Sequence, residues 1–88
     1  MIPQHLHSLF WDVHLDSFNP NAYPDYAITR VLEFGDERAI VWMKDTFSEA
    51  EIKRVIRTER RLSRRSANFW ALVYEIVSNE VAALRPAQ

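Results

Sequence analysis

The sequence contains no cysteine and a single glycine among its 88 residues. Without cysteine there is no disulfide, no thiolate-bound zinc and no thiol nucleophile. One glycine cannot form the glycine-rich loops that hold phosphate groups in dinucleotide- and nucleoside-triphosphate-binding proteins. A two-lobed enzyme with a cleft between its lobes is excluded as well, because a chain of this length forms one domain.

Long hydrophobic runs are also missing. No stretch approaches the roughly 20 apolar residues that cross a bilayer, and the N-terminal residues lack the basic and apolar segments of a signal peptide. We therefore expect a soluble, cytoplasmic protein with no membrane partner. We also expect one helical domain over residues 1–88, loosely ordered at 1–8 and 85–88.

Aromatic residues, by contrast, are abundant: they make up 12% of the chain and include three Trp. They supply much apolar area for a small core, and disordered chains are poor in them. Apolar residues recur at helical spacing, whereas no segment alternates with the two-residue period of a strand. The sequence therefore predicts an all-α fold, a compact single-domain bundle of four to five short helices.

Capping and turn residues divide the chain into these helices. The predicted helices cover residues 25–34, 37–47 and 49–62, followed by a last helix that begins after Ser63 or Ser66 and reaches about Leu84. Gly35 is the expected left-handed residue after the first helix, and Asp36 is the expected cap of the second. Ser48 and Glu51 have the spacing of a capping box, in which each side chain accepts a hydrogen bond from the other residue's backbone N–H.

The last helix is predicted to be the central one, since it carries the widest apolar arc of the chain. The arc consists of Phe69, Trp70, Val73, Tyr74, Ile76, Val77, Val81 and Leu84. Together these positions span nearly half of the helix circumference. Glu80 lies inside the arc. We therefore expect an arginine to pair with Glu80, or that end of the helix to face solvent or another subunit.

The charges are distributed unevenly along the chain. Residues 1–52 carry three Lys or Arg against nine Asp or Glu, whereas residues 53–65 carry seven against one. The seven cations are Lys53, Arg54, Arg57, Arg60, Arg61, Arg64 and Arg65. If the third helix continues through position 65, all seven fall on one stripe, opposite the apolar Ile52, Val55, Ile56 and Leu62.

Three interpretations of this stripe stay open. It can be a solvated face paired with the acids of residues 1–52. It can also bind an acidic protein surface or nucleic acid, because arginine forks form bidentate pairs with carboxylate or phosphate. The seven cations are therefore the candidate binding residues.

The aromatic residues are most simply core anchors, although some are candidates for an interface with a partner, where Trp and Tyr are favoured. The candidates are Phe10, Trp11, Trp42 and Trp70. Trp42 lies off the apolar face that Ile40, Met43 and Phe47 form on the second helix. It is therefore expected to meet a different neighbour.

Metal binding and catalysis have little support in the sequence. His5, His7 and His14 lie near Asp12 and Asp16, but they show none of the ligand spacings of a zinc site. No nucleophile elbow or recognisable triad is present. We therefore expect no metal, no cofactor and no enzymatic activity.

Three strings resemble a family of short prokaryotic proteins known mainly as a domain of unknown function. They are Leu9–Val13 (LFWDV), Arg30–Asp36 (RVLEFGD) and Arg61–Leu72, which contains SANFWA. Members of that family are often found beside nucleotidyltransferase-like toxins of the abortive-infection type. The resemblance implies a small antitoxin-like partner of such a toxin, and the family has no established catalytic residues to carry over.

The leading hypothesis is therefore an antitoxin that binds and neutralises a nucleotidyltransferase-fold toxin, with the basic helix over its acidic cleft. The second is a DNA-binding transcriptional regulator that uses the same helix on phosphates. The third is a homodimeric helical interaction module, in which exposed aromatic residues of two copies pair with each other.

Overall fold

The computed structural model describes residues 19–85. It contains four α-helices: α1 (Pro24–Phe34), α2 (Glu37–Thr46), α3 (Glu49–Thr58) and α4 (Arg64–Val73). Two 3-10 turns follow at Ser78–Glu80 and Ala82–Leu84, and residues 19–85 contain no strand. The predicted all-α fold is confirmed. The loose order predicted for 1–8 and 85–88 lies outside the described residues except at Arg85, whose Nε–H donates to the Asn79 carbonyl at 3.0 Å.

The first helix begins and ends where the sequence predicts. Pro24 occupies its first turn, where the missing N–H costs nothing. Gly35 ends it, but not in the predicted left-handed conformation: its φ of −73° and ψ of 149° are extended. Glycine is required here for space instead. A Cβ at position 35 would lie 2.6 Å from the Val31 carbonyl oxygen and 3.1 Å from Ala39 Cβ.

The caps of α2 and α3 match their predictions. Asp36 accepts a hydrogen bond from the Ala39 backbone N–H at 2.9 Å and so caps α2. Ser48 and Glu51 form the complete capping box at the start of α3. Caps and capping boxes are local devices whose partners lie three residues apart, which explains why the sequence alone locates them.

The third helix is shorter than predicted: it ends at Thr58, not at residue 62. A turn over 59–63 follows. It buries Leu62 in the core and places the Ser63 backbone N–H on the carboxylate of Glu33 in α1. These tertiary contacts replace the remaining turn of helix that the periodicity predicted.

The fourth helix also ends early, at Val73 rather than near Leu84. It closes with a Schellman motif, in which Ile76 N–H donates to Ala71 O at 2.8 Å and Glu75 N–H donates to Leu72 O at 3.3 Å. Glu75 holds the left-handed position with a φ of 56°. Ala71 and Ile76 are both buried, which supplies the apolar contact that accompanies this motif.

The helix that packs against each of the other three is α1, not the predicted last helix. Trp70 of α4 covers the end of α1, and its indole Nε1–H donates to the Leu32 carbonyl at 2.9 Å inside the core. The buried apolar residues form one cluster that draws on all four α-helices and on Ile76 and Val81 beyond them. The two turns after α4 therefore complete the core.

Candidate protein-binding surface

The seven predicted cations lie on three elements rather than on one helix. Lys53, Arg54 and Arg57 belong to α3, Arg60 and Arg61 to the turn, and Arg64 and Arg65 to the first turn of α4. The predicted continuous stripe is therefore wrong, because α3 stops at Thr58 and the chain changes direction before α4.

Two of the α3 cations are held by carboxylates of the same chain. Lys53 Nζ lies 2.8 Å from the carboxylate of Glu49, one helical turn earlier. The Arg54 guanidinium forms a bidentate pair with Asp25 of α1, with N–O distances of 2.7 and 3.2 Å. This guanidinium lowers the pKa of the Asp25 carboxyl below its ordinary value. Arg54 thus ties α3 to α1.

Two further arginines form ion pairs: Arg57 in the last turn of α3 and Arg61 in the turn that follows it. Arg57 Nε lies 3.7 Å from a Glu80 carboxylate oxygen, so an arginine does pair with Glu80, as one of the two sequence alternatives expected. Arg61 Nε donates to Glu59 at 2.5 Å. Half-exposed pairs of this kind contribute at most about 1 kcal/mol each. Their main effect is to occupy the guanidinium groups.

The remaining three cations, Arg60, Arg64 and Arg65, have no ion pair within residues 19–85, and all three are exposed. We call them the unpaired arginines. Arg64 and Arg65 are the first two residues of α4, where the positive end of the helix dipole makes a cation unfavourable. A feature that costs stability in the isolated chain is a candidate for use in binding.

Glu33 is a residue of this region that the sequence reasoning missed. Its carboxylate accepts from the Ser63 backbone N–H, from Ser63 Oγ at 3.2 Å and from Ser66 Oγ at 3.1 Å. It thereby places a negative charge at the start of α4, which has no acidic residue in its own first turn. The sequence did carry a signal for this contact: the first turn of α4 has two arginines and no acidic residue. A helix that begins in this way is stabilised by a carboxylate from another element.

We expect Glu33→Ala to lower the free energy of unfolding by about 2 kcal/mol, because three donors lose a charged acceptor. Urea unfolding followed by circular dichroism measures the change. Asp45→Ala is the matched control, since Asp45 is exposed on α2 and makes no pair within the described residues. It should change the free energy by less than about 0.5 kcal/mol. Equal effects of the two substitutions would contradict the assigned role of Glu33.

The four candidate interface aromatics lie in different environments or outside the described residues. Trp70 is 5% exposed and lies in the core, as the simplest interpretation of the aromatic residues expected. Trp42 is partly buried and packs edge-on against Phe47, with ring centroids 5.9 Å apart. Phe47 belongs to the apolar face from which the sequence set Trp42 apart, so the prediction of a different neighbour is wrong for this ring contact. Phe10 and Trp11 lie outside the described residues.

The outward side of α4 carries large apolar side chains that the sequence reasoning had assigned to the core or left out. Phe69 is 56% exposed, Leu72 is 72% exposed and Val73 is nearly half exposed. At about 100° per residue, Arg65 lies on the same side. We call Arg65, Phe69, Leu72 and Val73 the α4 outer face. It borders a groove of about 670 Å³ between α4 and the junction of α1 and α2.

Other kinds of site find little support in the part of the chain that is described. No three His, Asp or Glu side chains of residues 19–85 converge as a metal site, and His5, His7 and His14 lie outside that range. No helix there has both the length and the apolar character that crossing a bilayer demands.

No curated protein and no solved structure matches the chain. A family model does match it, over residues 6–56, and its description is "family of unknown function". The matched segment contains the first two of the three strings noted above and helices α1 and α2 with most of α3. It covers more than half of the sequence, and the chain therefore belongs to this family of unknown function, DUF6922.

Proposed function

We propose that this protein is antitoxin-like and neutralises a nucleotidyltransferase-fold toxin by binding it. The resemblance to proteins found beside such toxins suggests the partner. One observation supports a protein-binding role above all: Arg60 and Arg64 are exposed and make no ion pair within residues 19–85, whereas four other cations of the basic segment are paired. Arginine is enriched at protein interfaces and among the residues whose truncation weakens binding most.

The division of the arginines supports a specific surface rather than a solvated one. Four of the seven cations are satisfied by carboxylates within the chain, so they carry little charge outward. Arg60 and Arg64 are exposed and have no such partner among residues 19–85. Their charge is the part of the basic segment that remains available to another molecule.

The chemistry of the proposed partner fits this charge. Nucleotidyltransferases hold Mg²⁺ with carboxylates, so their clefts are acidic. Arginine forms planar, bidentate pairs with carboxylates and carries its charge at every physiological pH. In this proposal Arg60 and Arg64 lie over the acidic cleft and keep the metal and the nucleotide out of it.

The test exchanges the charge of these two arginines. We expect Arg60→Glu with Arg64→Glu to weaken binding to a nucleotidyltransferase-fold toxin that the wild-type chain neutralises at least about 100-fold, because attraction becomes repulsion. In cells expressing both proteins, protection of growth should be lost. Calorimetry with the purified pair measures the affinity, and circular dichroism confirms that the variant is folded.

Arg38→Glu with Lys44→Glu is the matched control, because it makes the same change in net charge on exposed residues of α2. This control should neutralise the toxin as the wild-type chain does. If the Arg60/Arg64 variant protects as well as the control, these arginines are not the contact surface. If the wild-type chain fails to bind and neutralise the toxin, the proposed function itself is wrong.

The unpaired arginines also support a second candidate, a nucleic-acid-binding regulator, although they limit its footprint. Three phosphate contacts give a slope of log affinity against log salt of about −2.7, so binding would weaken about 40-fold between 50 and 200 mM salt. If all seven cations of the predicted continuous stripe contacted phosphates, the affinity would fall far more steeply with salt. Titration of duplex DNA from the region upstream of the gene, at several salt concentrations, tests this candidate. An affinity that does not change with salt excludes it.

A further inference from the structure

The fourth helix is apolar on two opposite sides. Its inward side, formed by Ala67, Trp70 and Ala71, is buried, while Phe69 and Leu72 are more than half exposed on the other side. Of the seven large hydrophobic residues exposed within residues 19–85, four lie between positions 69 and 77. Helices that are apolar all round are normally covered on all sides. The α4 outer face is therefore a candidate contact surface.

The charges at the two ends of this face have opposite signs. Arg65 stands at the start of α4 and Glu75 follows its last turn, and both are exposed. Neither side chain makes an ion pair within the described residues. A second α4 laid antiparallel on the first would bring each arginine to the carboxyl end of the other helix. There the helix dipole favours a cation, whereas at its own end the dipole opposes one.

We propose that the α4 outer face is covered by the same face of a second copy of this chain, with the two α4 helices antiparallel. A twofold axis close to position 70 sets Arg65 opposite Glu75 of the partner subunit, and the pair occurs twice by symmetry. Phe69 and Leu72 lie next to the axis and form the apolar centre of the contact. Val77, which is also exposed, extends the patch at each end.

A second copy fits this surface because the face complements itself. It carries one sign of charge at each end and apolar side chains between them, as a two-fold contact requires. Arg64 lies about 140° around the helix from Phe69 and about 80° from Leu72, and Arg60 precedes the helix altogether. Neither arginine belongs to the α4 outer face, and each proposal can fail without the other.

The first test is the oligomeric state of the full chain without any toxin, measured by sedimentation velocity over a range of concentrations up to about 1 mM. We expect a reversible dimer of twice the 10.4 kDa chain mass. Leu72→Glu should raise the dissociation constant at least about 100-fold, because it buries a charge at the centre. Val41→Glu is the matched control: Val41 is 57% exposed on α2, and its replacement should leave the dimer intact.

The second test exchanges charges. Arg65→Glu alone and Glu75→Arg alone should each weaken the dimer about 10-fold, since each sets like charges opposite one another. The double variant restores opposite charges and should return to within about threefold of the wild type. The Arg60→Glu and Arg64→Glu variant should dimerise normally, which separates this proposal from the proposed toxin contact.

A wild-type chain that stays monomeric at every concentration overturns the proposal. So does a dimer that Val41→Glu disrupts as strongly as Leu72→Glu. A dimer that the double charge exchange does not restore overturns the antiparallel arrangement. If the wild-type chain is monomeric and Leu72→Glu abolishes toxin neutralisation, the α4 outer face binds the toxin and not a second copy.

Discussion

Replacing Trp70 by alanine is expected to lower the free energy of unfolding by about 3–5 kcal/mol, the usual cost of removing a buried aromatic side chain. The indole ring is 5% exposed and packs against the ring of Tyr74, with centroids 6.1 Å apart. Its Nε1–H also donates to the Leu32 carbonyl, which lies in the last turn of α1 and has no acceptor role inside that helix. The substitution thus creates a cavity and leaves a buried carbonyl without its donor.

A loss of this size is comparable to the whole stability of a domain of 88 residues, which is about 4–13 kcal/mol. We therefore expect the variant to be largely unfolded or to unfold at a much lower urea concentration, as circular dichroism would show. Trp70→Phe keeps most of the ring and should lose less. Asn68→Ala, an exposed neighbour on α4, is the control and should behave as wild type. A Trp70→Ala variant with wild-type stability would contradict the assigned place of the ring.

Replacing Gly35 by alanine is expected to lower the free energy of unfolding by about 1–3 kcal/mol, the range found for overpacked sites. The new Cβ would lie 2.6 Å from the Val31 carbonyl oxygen and 2.9 Å from Val31 Cγ1. Because a backbone atom is the nearest neighbour, a change of side-chain rotamer cannot relieve the overlap. The junction between α1 and α2 must open instead.

The sign of this effect separates two explanations of the glycine. With a φ of −73° the backbone at position 35 is open to any residue. If only backbone conformation mattered, alanine would stabilise the protein by about 0.4–1 kcal/mol, because it restricts the unfolded chain. If glycine is needed because α1 and α2 approach closely, urea unfolding of Gly35→Ala should show a lower free energy of unfolding than that of the wild type. A gain in stability would contradict it.

The elements that could be predicted from the sequence are those whose signals are local. The caps at Asp36 and Ser48 bond to groups three residues away, and both were predicted correctly. The ends of α3 and α4 were not, because the apolar spacing continues after each helix has stopped. Leu62 and Ile76 keep helical spacing in the sequence, yet both reach the core from turns. Only the contact between Ser63 and Glu33, thirty positions apart, reveals the turn after α3.

The candidate binding residues show the same limit. The sequence identifies the cations, and the pair between Lys53 and Glu49 could be read from its helical spacing. The partner of Arg54 is 29 positions away and depends on how α3 packs on α1. The exposure of Phe69 could not be predicted either, because a large apolar residue on a helix has the same spacing whether it faces a core or a partner.

The place where the family match stops has a consequence for modularity. The match ends at Ile56, but the core is closed by Trp70, Ile76 and Val81, all of them buried. The segment shared with the family is therefore shorter than the unit that holds together. A segment inserted into another protein must therefore extend at least to Val81, because a shorter one would leave one side of α1 exposed to solvent.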